Sequence, residues 1–541
     1  MSRSPGLLAQ FFESSPLRHA PFRLFFFGSI ATAGGYTMQA TVSAWLMTTL
    51  TPSALMVALV QTASTVPSLL FGLVAGALAD IVDRRKILLA TQILLFVATF
   101  LLGGTTLAGW MSPATLLALT LLVGTGFTFY LPAQQASVND FVSRSELPRA
   151  VALGAVAFNV ARAAAPALAG ALAGWLGTGS AMLAAGLLFI PMFVAVRGWK
   201  GRALALPGVP ETLFSGAWSG LRYTRHSPAM RALVIRNLGF SVCASALWAM
   251  LPLVAREQLA LDAFGYGLLF ASFGIGAVGG ALALPRMLSR TSLNAVVASS
   301  TVLWGVATLL VAVADLVALA LVGVFAAGMS WVSVLASLSA GTQSSAPAWV
   351  RARAVAINLV ANQASLALGS AFWGAIAMFA GTRVTLAMSA GLMVVLLLLA
   401  RRVRVEMGSE ADVTAGAQLP DLVIPDEPLP DDGPVLIQIE YQILPEHREA
   451  FLRAIHAVEP ARRRNGAASW RIYRDLGEEG RFVERFIIAS WAEYVRLRAR
   501  MTVADRLLQD RVAELQRPDT PIRVSRFLGV KPGDAPSLPL A

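Results

Sequence analysis

Between Phe22 and about Ala400 the chain is a succession of apolar runs separated by short charged or turn-rich breaks. Each run is about 20 residues long, the length at which an α-helix crosses the hydrocarbon core of a bilayer. Inside lipid the backbone must satisfy its own hydrogen bonds, and a helix does so within one segment. Of the 541 residues 56% are hydrophobic and only 14% charged, with a mean hydropathy of +0.65, which is more apolar surface than one soluble core buries. Beyond Arg401 the chain turns polar.

The runs fall near 22–48, 53–79, 87–109, 113–138, 150–173, 178–197, 233–255, 264–285, 292–313, 316–340, 353–379 and 383–400, so twelve spanning helices are expected. The longest break, about 198–230, divides them six and six and leaves both termini on one side. Arg84, Arg85, Lys86, Arg144, Arg149, Arg197, Lys200, Arg202, Arg222, Arg225, Arg286, Arg290, Arg351, Arg353 and Arg401 fall in breaks on that side, whereas the opposite breaks hold Arg256 and Arg383. Positively charged loops stay cytoplasmic, which places the termini and the central loop in the cytoplasm of a cell whose plasma (inner) membrane the chain spans. The first residues, Met1 to Pro21, carry no apolar core followed by a small-residue cleavage site, so no cleaved signal peptide is expected.

The net charge of +12 does not signal nucleic acid, because the basic residues sit in short loops rather than on one face with aromatics interleaved. Cys243 is the only cysteine and lies in an apolar run, so disulfides and cysteine metal sites are excluded; no metal and no cofactor is expected. No Walker sequence occurs, which speaks against a nucleotide-driven pump.

An internal repeat supports the division, since Gly72-Leu-Val-Ala-Gly76-Ala-Leu-Ala-Asp80 recurs as Gly276-Ala-Val-Gly-Gly280-Ala-Leu-Ala-Leu284. Parallel repeats that hold substrate between them are a transporter design. Gly72 and Gly76 are one helical turn apart, a spacing that lets a neighbouring helix approach closely. Asp80 puts a carboxylate at a helix end, where it needs donors or cations.

The segment Gly72-xxx-Gly76-Ala-Leu-Ala-Asp80-Ile-Val-Asp83-Arg84-Arg85-Lys86 resembles the signature loop of the major facilitator superfamily, with Asp83 where the general pattern has Gly. The resemblance narrows to an exporter branch that includes enterobactin exporters and the transmembrane secretion effectors. Gly35-Tyr-Thr-Met-Gln39, Trp45, Gln61, Pro67, Pro132-Ala-Gln-Gln135, Glu146-Leu-Pro148, Asn159-Val-Ala-Arg162-Ala-Ala-Ala-Pro166 and Gly220-Leu-Arg222-Tyr223-Thr-Arg225 carry it. It implies an all-α membrane fold of two six-helix halves, 22–197 and 233–404, flanked by a 1–21 segment and joined by a 198–232 loop. It also implies export by alternating access, proton antiport, and a cytoplasmic latch built on Asp80, Arg84 and Arg85.

Arg162, near the middle of the fifth run, is the one clearly membrane-buried charge that the sequence offers. Such a cation faces a cavity or a partner: it contacts an anionic or hydroxylated substrate, or it bonds helix carbonyls and polar neighbours such as Asn159 and Gln135. Gln39, Trp45, Gln61, Tyr130, Trp248, Asn358 and Gln363 complete a candidate lining for a bulky amphipathic molecule. No Asp, Glu or His falls clearly inside a run, so Asp80 and Asp140, at helix ends, are the candidates for proton coupling.

Residues 405–434 are acidic and proline-rich and read as a linker. Residues 435–530 follow a β-α-β-β-α-β pattern, with strands at Val435–Ile443, Ala468–Tyr473, Arg481–Ser490 and Ile522–Phe527 and helices over 446–463 and 491–516; that order predicts a small α+β ferredoxin-like domain, followed by a 531–541 tail. It resembles the dimeric antibiotic-biosynthesis monooxygenase domain, and members of the exporter group carry a similar tail with a motif that is here Ser490-Trp491-Ala-Glu493-Tyr494. Trp470, Trp491, His447 and His456 are catalytic candidates by type only. The leading expectation is therefore a secondary exporter of a small organic molecule such as a siderophore, secondary metabolite or drug, with homodimerisation through the tail domain. A membrane-tethered oxygenase and a sensor are the alternatives.

Overall fold

The computed structural model describes residues 15–143, 146–199, 213–414, 416, 428–518 and 520–530, although the side chains of Asp80, Asn159 and Arg162, among other helical residues, lie outside that description. Lys200 and Arg202, and most of the proline-rich linker, likewise fall outside it. The chain divides into two compact units: 1–210 with 235–338 and 359–404, and 211–234 with 339–358 and 405–541.

The first unit is helical. In chain order its elements are α1 Ala20–Leu50, α2 Ala54–Ile81, α3 Arg84–Leu107, α4 Pro113–Ser137, α5 Leu147–Leu176, α6 Thr178–Leu187 and α7 Ile190–Arg197. After α8 Leu213–His226, which belongs to the second unit, come α9 Pro228–Leu253, α10 Ala263–Arg290, α11 Leu293–Ala312, α12 Val317–Ser345 and α13 Ala348–Leu399. Every expected run falls on helix, and nine helices among the described residues are long and apolar enough to cross a membrane.

Their limits follow from local chemistry. Ser53, Ser112, Asp262 and Ser292 each accept a backbone N–H in the first turn of α2, α4, α10 and α11, which satisfies donors that no intrahelical carbonyl reaches. The expected break near 380 is a single residue: Gly381, at φ +76°, separates two runs within α13. The sixth run is two helices, α6 and α7, because the chain tightens at Leu188–Phe189 and restarts with Pro191 in the first turn. Tight connections lay successive helices antiparallel, so α2 and α3 meet at a turn end while α1 and α2 meet at the far end. At that far end Trp110 and Trp175 are 79% and 76% exposed, placed as interfacial anchors are.

The two copies of the repeated glycine pair do different work. A Cβ on Gly276 would collide with the Phe325 carbonyl of α12, one on Gly280 with the Met329 carbonyl, and one on Gly328 with the Phe273 carbonyl of α10. Small residues thus interdigitate α10 with α12 at backbone contact. The expectation of close approach at Gly72 and Gly76 is corrected: a Cβ on Gly72 would rest at 3.6 Å from Val360 Cγ2, and one on Gly76 meets nothing within 4 Å among the described residues.

In the second unit β1 Val435–Gln442, β2 Ser469–Arg474, β3 Arg481–Ile488 and β4 Arg523–Leu528 form an antiparallel sheet in the order β2-β3-β1-β4. Helices α14 Arg448–Asn465, α15 Trp491–Arg500 and α16 Val503–Ala513 accompany it. Val435, Ile437, Ile439 and Tyr441 of β1 alternate inward with Phe482, Phe486 and Ile488 of β3, in one core with Phe451, Ile455 and Val458 of α14. The single helix expected over 491–516 is two, because Thr502 and Asp505 form a capping box that starts α16 afresh after an extended Met501. An apolar period that runs through such a box hides the break.

Gly276→Ala is expected to destabilise the detergent-solubilised protein by about 1–3 kcal/mol, the cost of overpacking a tight contact. Gly76→Ala should stay within about 0.5 kcal/mol. Paired thermal unfolding curves read the difference.

Candidate functional site

At the turn end, Asp83 caps α3 by accepting the Arg85 backbone N–H at 2.9 Å, from φ −52° and ψ 110°. That backbone is open to any L residue, so the aspartate stands in for the usual glycine without strain and supplies a cap. Arg84 donates from Nε to the Ala79 carbonyl at 3.2 Å and from Nη1 to the Ala136 carbonyl at 3.2 Å and to Asp140 Oδ2 at 3.4 Å. One guanidinium thereby ties the ends of α2 and α4 together, with Asp140 only 10% exposed. Arg85 donates to the Arg197 carbonyl at 2.7 Å and holds the end of α7. Arg18 bonds Glu146 at 2.8 Å, and Ser143 bonds the same carboxylate, ahead of α5.

Among the lining candidates, Gln39 is 1% exposed and donates to Ser43 Oγ at 2.8 Å, while its Oε1 has no partner among the described residues. Trp45 of α1 stacks on Tyr266 of α10 with ring centroids 5.6 Å apart. Tyr266 continues to Phe270 at 5.1 Å, Phe270 to Trp248 of α9 at 5.8 Å, and Trp248 to Trp331 of α12 at 5.4 Å. Trp331 in turn meets Trp304 of α11 at 5.5 Å and Phe240 of α9 at 5.8 Å. An aromatic seam therefore starts in the first group of helices and runs through the second. The indole N–H groups of Trp248 and Trp304 have no hydrogen-bond partner among the described residues.

Sequence reasoning chose Trp45 and Trp248 and missed the rest of the seam. The signal was available in the repeat. Gly276 stands 204 positions after Gly72, and at the same offset Phe240 follows Tyr36, Trp331 follows Phe127, and Gly328 follows Gly124. Tyr36 and Phe127 stack at 3.9 Å and 9°, and their counterparts Phe240 and Trp331 pack at 5.8 Å. The repeat thus holds an aromatic pair as well as a glycine pair. Tyr130, 2% exposed, joins the first pair through Phe127 at 5.7 Å.

Other candidates land elsewhere. Gln61 and Gln363 are half-buried on α2 and α13. Gln135 is exposed, and its neighbour Gln134 is the one that reaches Ser29 Oγ of α1, at 3.1 Å. Asn358 lies in the second unit and donates to Thr342 Oγ1 at 2.9 Å; one turn on, Asn362 donates to Ser241 Oγ of α9 at 2.7 Å. The expectation of a single buried charge in the spans is corrected by Arg236 of α9, which is 8% exposed and donates to Asn294 Oδ1 at 3.3 Å. Arg236 lies inside the run expected over 233–255, where sequence reasoning passed over it. Asp315 pairs with Arg383 at the far end.

The two groups of helices meet near the far end, where Trp45 packs on Tyr266 and the backbones of Gly170 and Gly267 come close enough that a Cβ on either would collide with the other. A Cβ on Gly374 would press on Ala58 and Leu55 there. Farther in, Thr62 Oγ1 of α2 donates to the Ala367 carbonyl of α13 at 2.8 Å.

In the small domain, Glu484 is fully buried and accepts from Tyr441 OH at 2.9 Å, Arg462 Nε at 3.0 Å and Trp470 Nε1 at 2.8 Å. Burial, and then the Glu484 charge, push the Tyr441 hydroxyl well above its ordinary range. Trp470 is committed to that network, Trp491 is a core residue, and His456 Nδ1 sits 2.7 Å from the Leu452 carbonyl.

This is the fold of a multi-pass membrane transporter. The nucleoside transporter NupG superposes with a TM-score of 0.61 at 12% identity, covering 71% of this chain and 99% of that one. A bacterial homologue of the human lysosomal transporter Spinster, inward-facing and unoccupied, superposes with a TM-score of 0.57 at 15% identity, covering 72% and 98%. Residues 12–532 match the transmembrane secretion effector family, and the chain belongs to that family of major facilitator transporters. The multidrug efflux pump Tap of Mycolicibacterium fortuitum is 23% identical over 379 residues, 68% of this chain and 92% of the pump. The protein is a transporter and not an enzyme.

Asp83→Ala should cost about 0.5–2 kcal/mol of local stability and Asp83→Gly a few tenths. Hydrogen exchange of the Arg85–Ile87 amides reads both, faster in the alanine variant than in the glycine one.

Proposed function

We propose that the protein is a secondary active exporter of small organic molecules, working by alternating access of two six-helix halves across the cell's inner membrane. The observation that carries this is the aromatic seam, which draws rings from both halves and leaves the indole N–H of Trp248 unpartnered. A seam of that kind takes an aromatic, amphipathic molecule such as a drug, siderophore or other secondary metabolite, with the indole N–H groups as donors to its carbonyl or hydroxyl oxygens. The efflux relative supports the outward direction. Loop arginines support cytoplasmic termini, and with that orientation the contacts gathered at the far end close the extracellular side.

Proton antiport is the coupling we favour. Arg84 holds Asp140 at 3.4 Å, and protonation of that carboxylate would loosen the tie between α2 and α4; Asp80 is the second candidate. Arg162, if it faces the substrate path, disfavours strongly cationic cargo. The small domain, whose strand order matches a ferredoxin-like fold, is read as a dimerisation or regulatory module. Leu436, Ile487 and Phe527 stand in register on the sheet face turned away from α14, an apolar strip suited to a second copy.

Everted vesicles with an uncharged aromatic dye test the reading: dye should accumulate on imposing a proton gradient, and Trp248→Ala should raise the apparent KM about tenfold, or about 1.4 kcal/mol. Gradient-independent accumulation would refute coupled export, and proton dependence that survives both Asp80→Asn and Asp140→Asn would remove those carboxylates from the mechanism.

A further inference from the structure

Two motifs that transport chemistry leaves unused meet in the second unit. Gly220-Leu-Arg222-Tyr223 lies on α8, in the connector between the halves, and Ser490-Trp-Ala-Glu493 opens α15 of the small domain. Ser490 caps α15 by accepting the Glu493 N–H. Glu493 Oε1 then accepts from Arg222 Nη2 at 2.5 Å and from Arg500 Nη1 at 2.9 Å, with Arg496 Nη1 at 3.7 Å from Oε2. The carboxylate is 14% exposed, Arg222 18% and Arg500 6%.

The same few side chains reach the start of α13. The Arg500 guanidinium lies over the Trp349 ring at 4.2 Å, and Tyr223 meets that ring edge-on at 5.6 Å. Arg353 Nη1 bonds Ser219 Oγ at 2.8 Å, and Gly220 is small enough to let the stem of Arg353 lie against α8. Tyr223 OH donates to the Ser345 carbonyl at the end of α12, at 3.4 Å. Three parts of the chain, distant in sequence, converge on Glu493 and Trp349.

We propose that Glu493 is a latch by which the small domain grips its own transporter, binding the connector helix α8 to the α12–α13 turn so that both move with the second half. A mostly buried carboxylate between two guanidiniums is worth keeping only as a set, because removing it leaves two cations facing each other in a desolvated site. The Arg500–Trp349 contact adds an anchor that is strongest away from water. With α8 fastened, rocking of the second half acts on the connector without a slack segment at its end. The transport consequence rests on the exporter reading, whereas the grip itself does not.

The test uses full-length protein in nanodiscs and proteoliposomes, with Glu493→Gln, Arg222→Gln and the double variant. Hydrogen exchange at the α8 amides of 218–226 should rise about tenfold in each single variant while the β1 and β3 amides stay protected. The double variant should match the singles, as partners in one interaction do. Initial transport rates should fall about threefold to tenfold with α8 exchange. Unchanged α8 exchange in Glu493→Gln, or effects that add in the double variant, overturns the latch. Faster α8 exchange with an undiminished transport rate overturns its role in rocking. A wild-type chain that moves no dye defeats the exporter reading instead, and the exchange data still decide the grip.

Discussion

A polar group within hydrocarbon has no water to turn to, so every one left on a spanning helix must find a partner inside the protein or serve a ligand. That constraint organises the helical unit. Thr and Ser hydroxyls fold back on their own helix carbonyls, as Thr41 does on Thr37 and Ser137 on Ala133. Others cross between helices, as when Asn362 reaches Ser241 or Trp373 Nε1 reaches the Val242 carbonyl. Several buried groups still lack a partner among the described residues, Gln39 Oε1, Gln92 Nε2 and the Tyr130 hydroxyl among them, and of these the Trp248 and Trp304 indoles lie on the aromatic seam.

Apolar helices in lipid gain little from burying more apolar surface against each other, so closeness of backbone approach decides their packing. At Gly276, Gly280 and Gly328 the side chains are absent and the backbones touch. Gly72 and Gly76 have the same spacing and, among the described residues, no such neighbour. A repeat in sequence is therefore no guarantee of a repeated contact. The aromatic pairs Tyr36–Phe127 and Phe240–Trp331 complete the repeat in a form that a search for identical letters passes over, because an aromatic replaces an aromatic.

The small domain obeys the opposite solvent rule. Its core is an ordinary sheet-on-helix packing, yet it encloses Glu484 with three donors, and a fully bonded network of that kind favours one arrangement of the core over looser ones. Trp470, which by residue type suggested chemistry, is one of those donors. Glu493 differs in that one of its partners, Arg222 of α8, comes from beyond the domain's own strands and helices.

By itself the sequence determined the helical spans and the order of strands in the tail. Those follow from local chemistry: run length and alternation are written along the chain. Only the tertiary structure decided which glycines touch, that Arg236 is buried, and that Gln134 rather than Gln135 turns inward. It also brought Arg222, Trp349 and Glu493 to one place. Helical periodicity says which residues share a face, but which neighbour that face meets depends on contacts between segments hundreds of residues apart, and no local pattern records them.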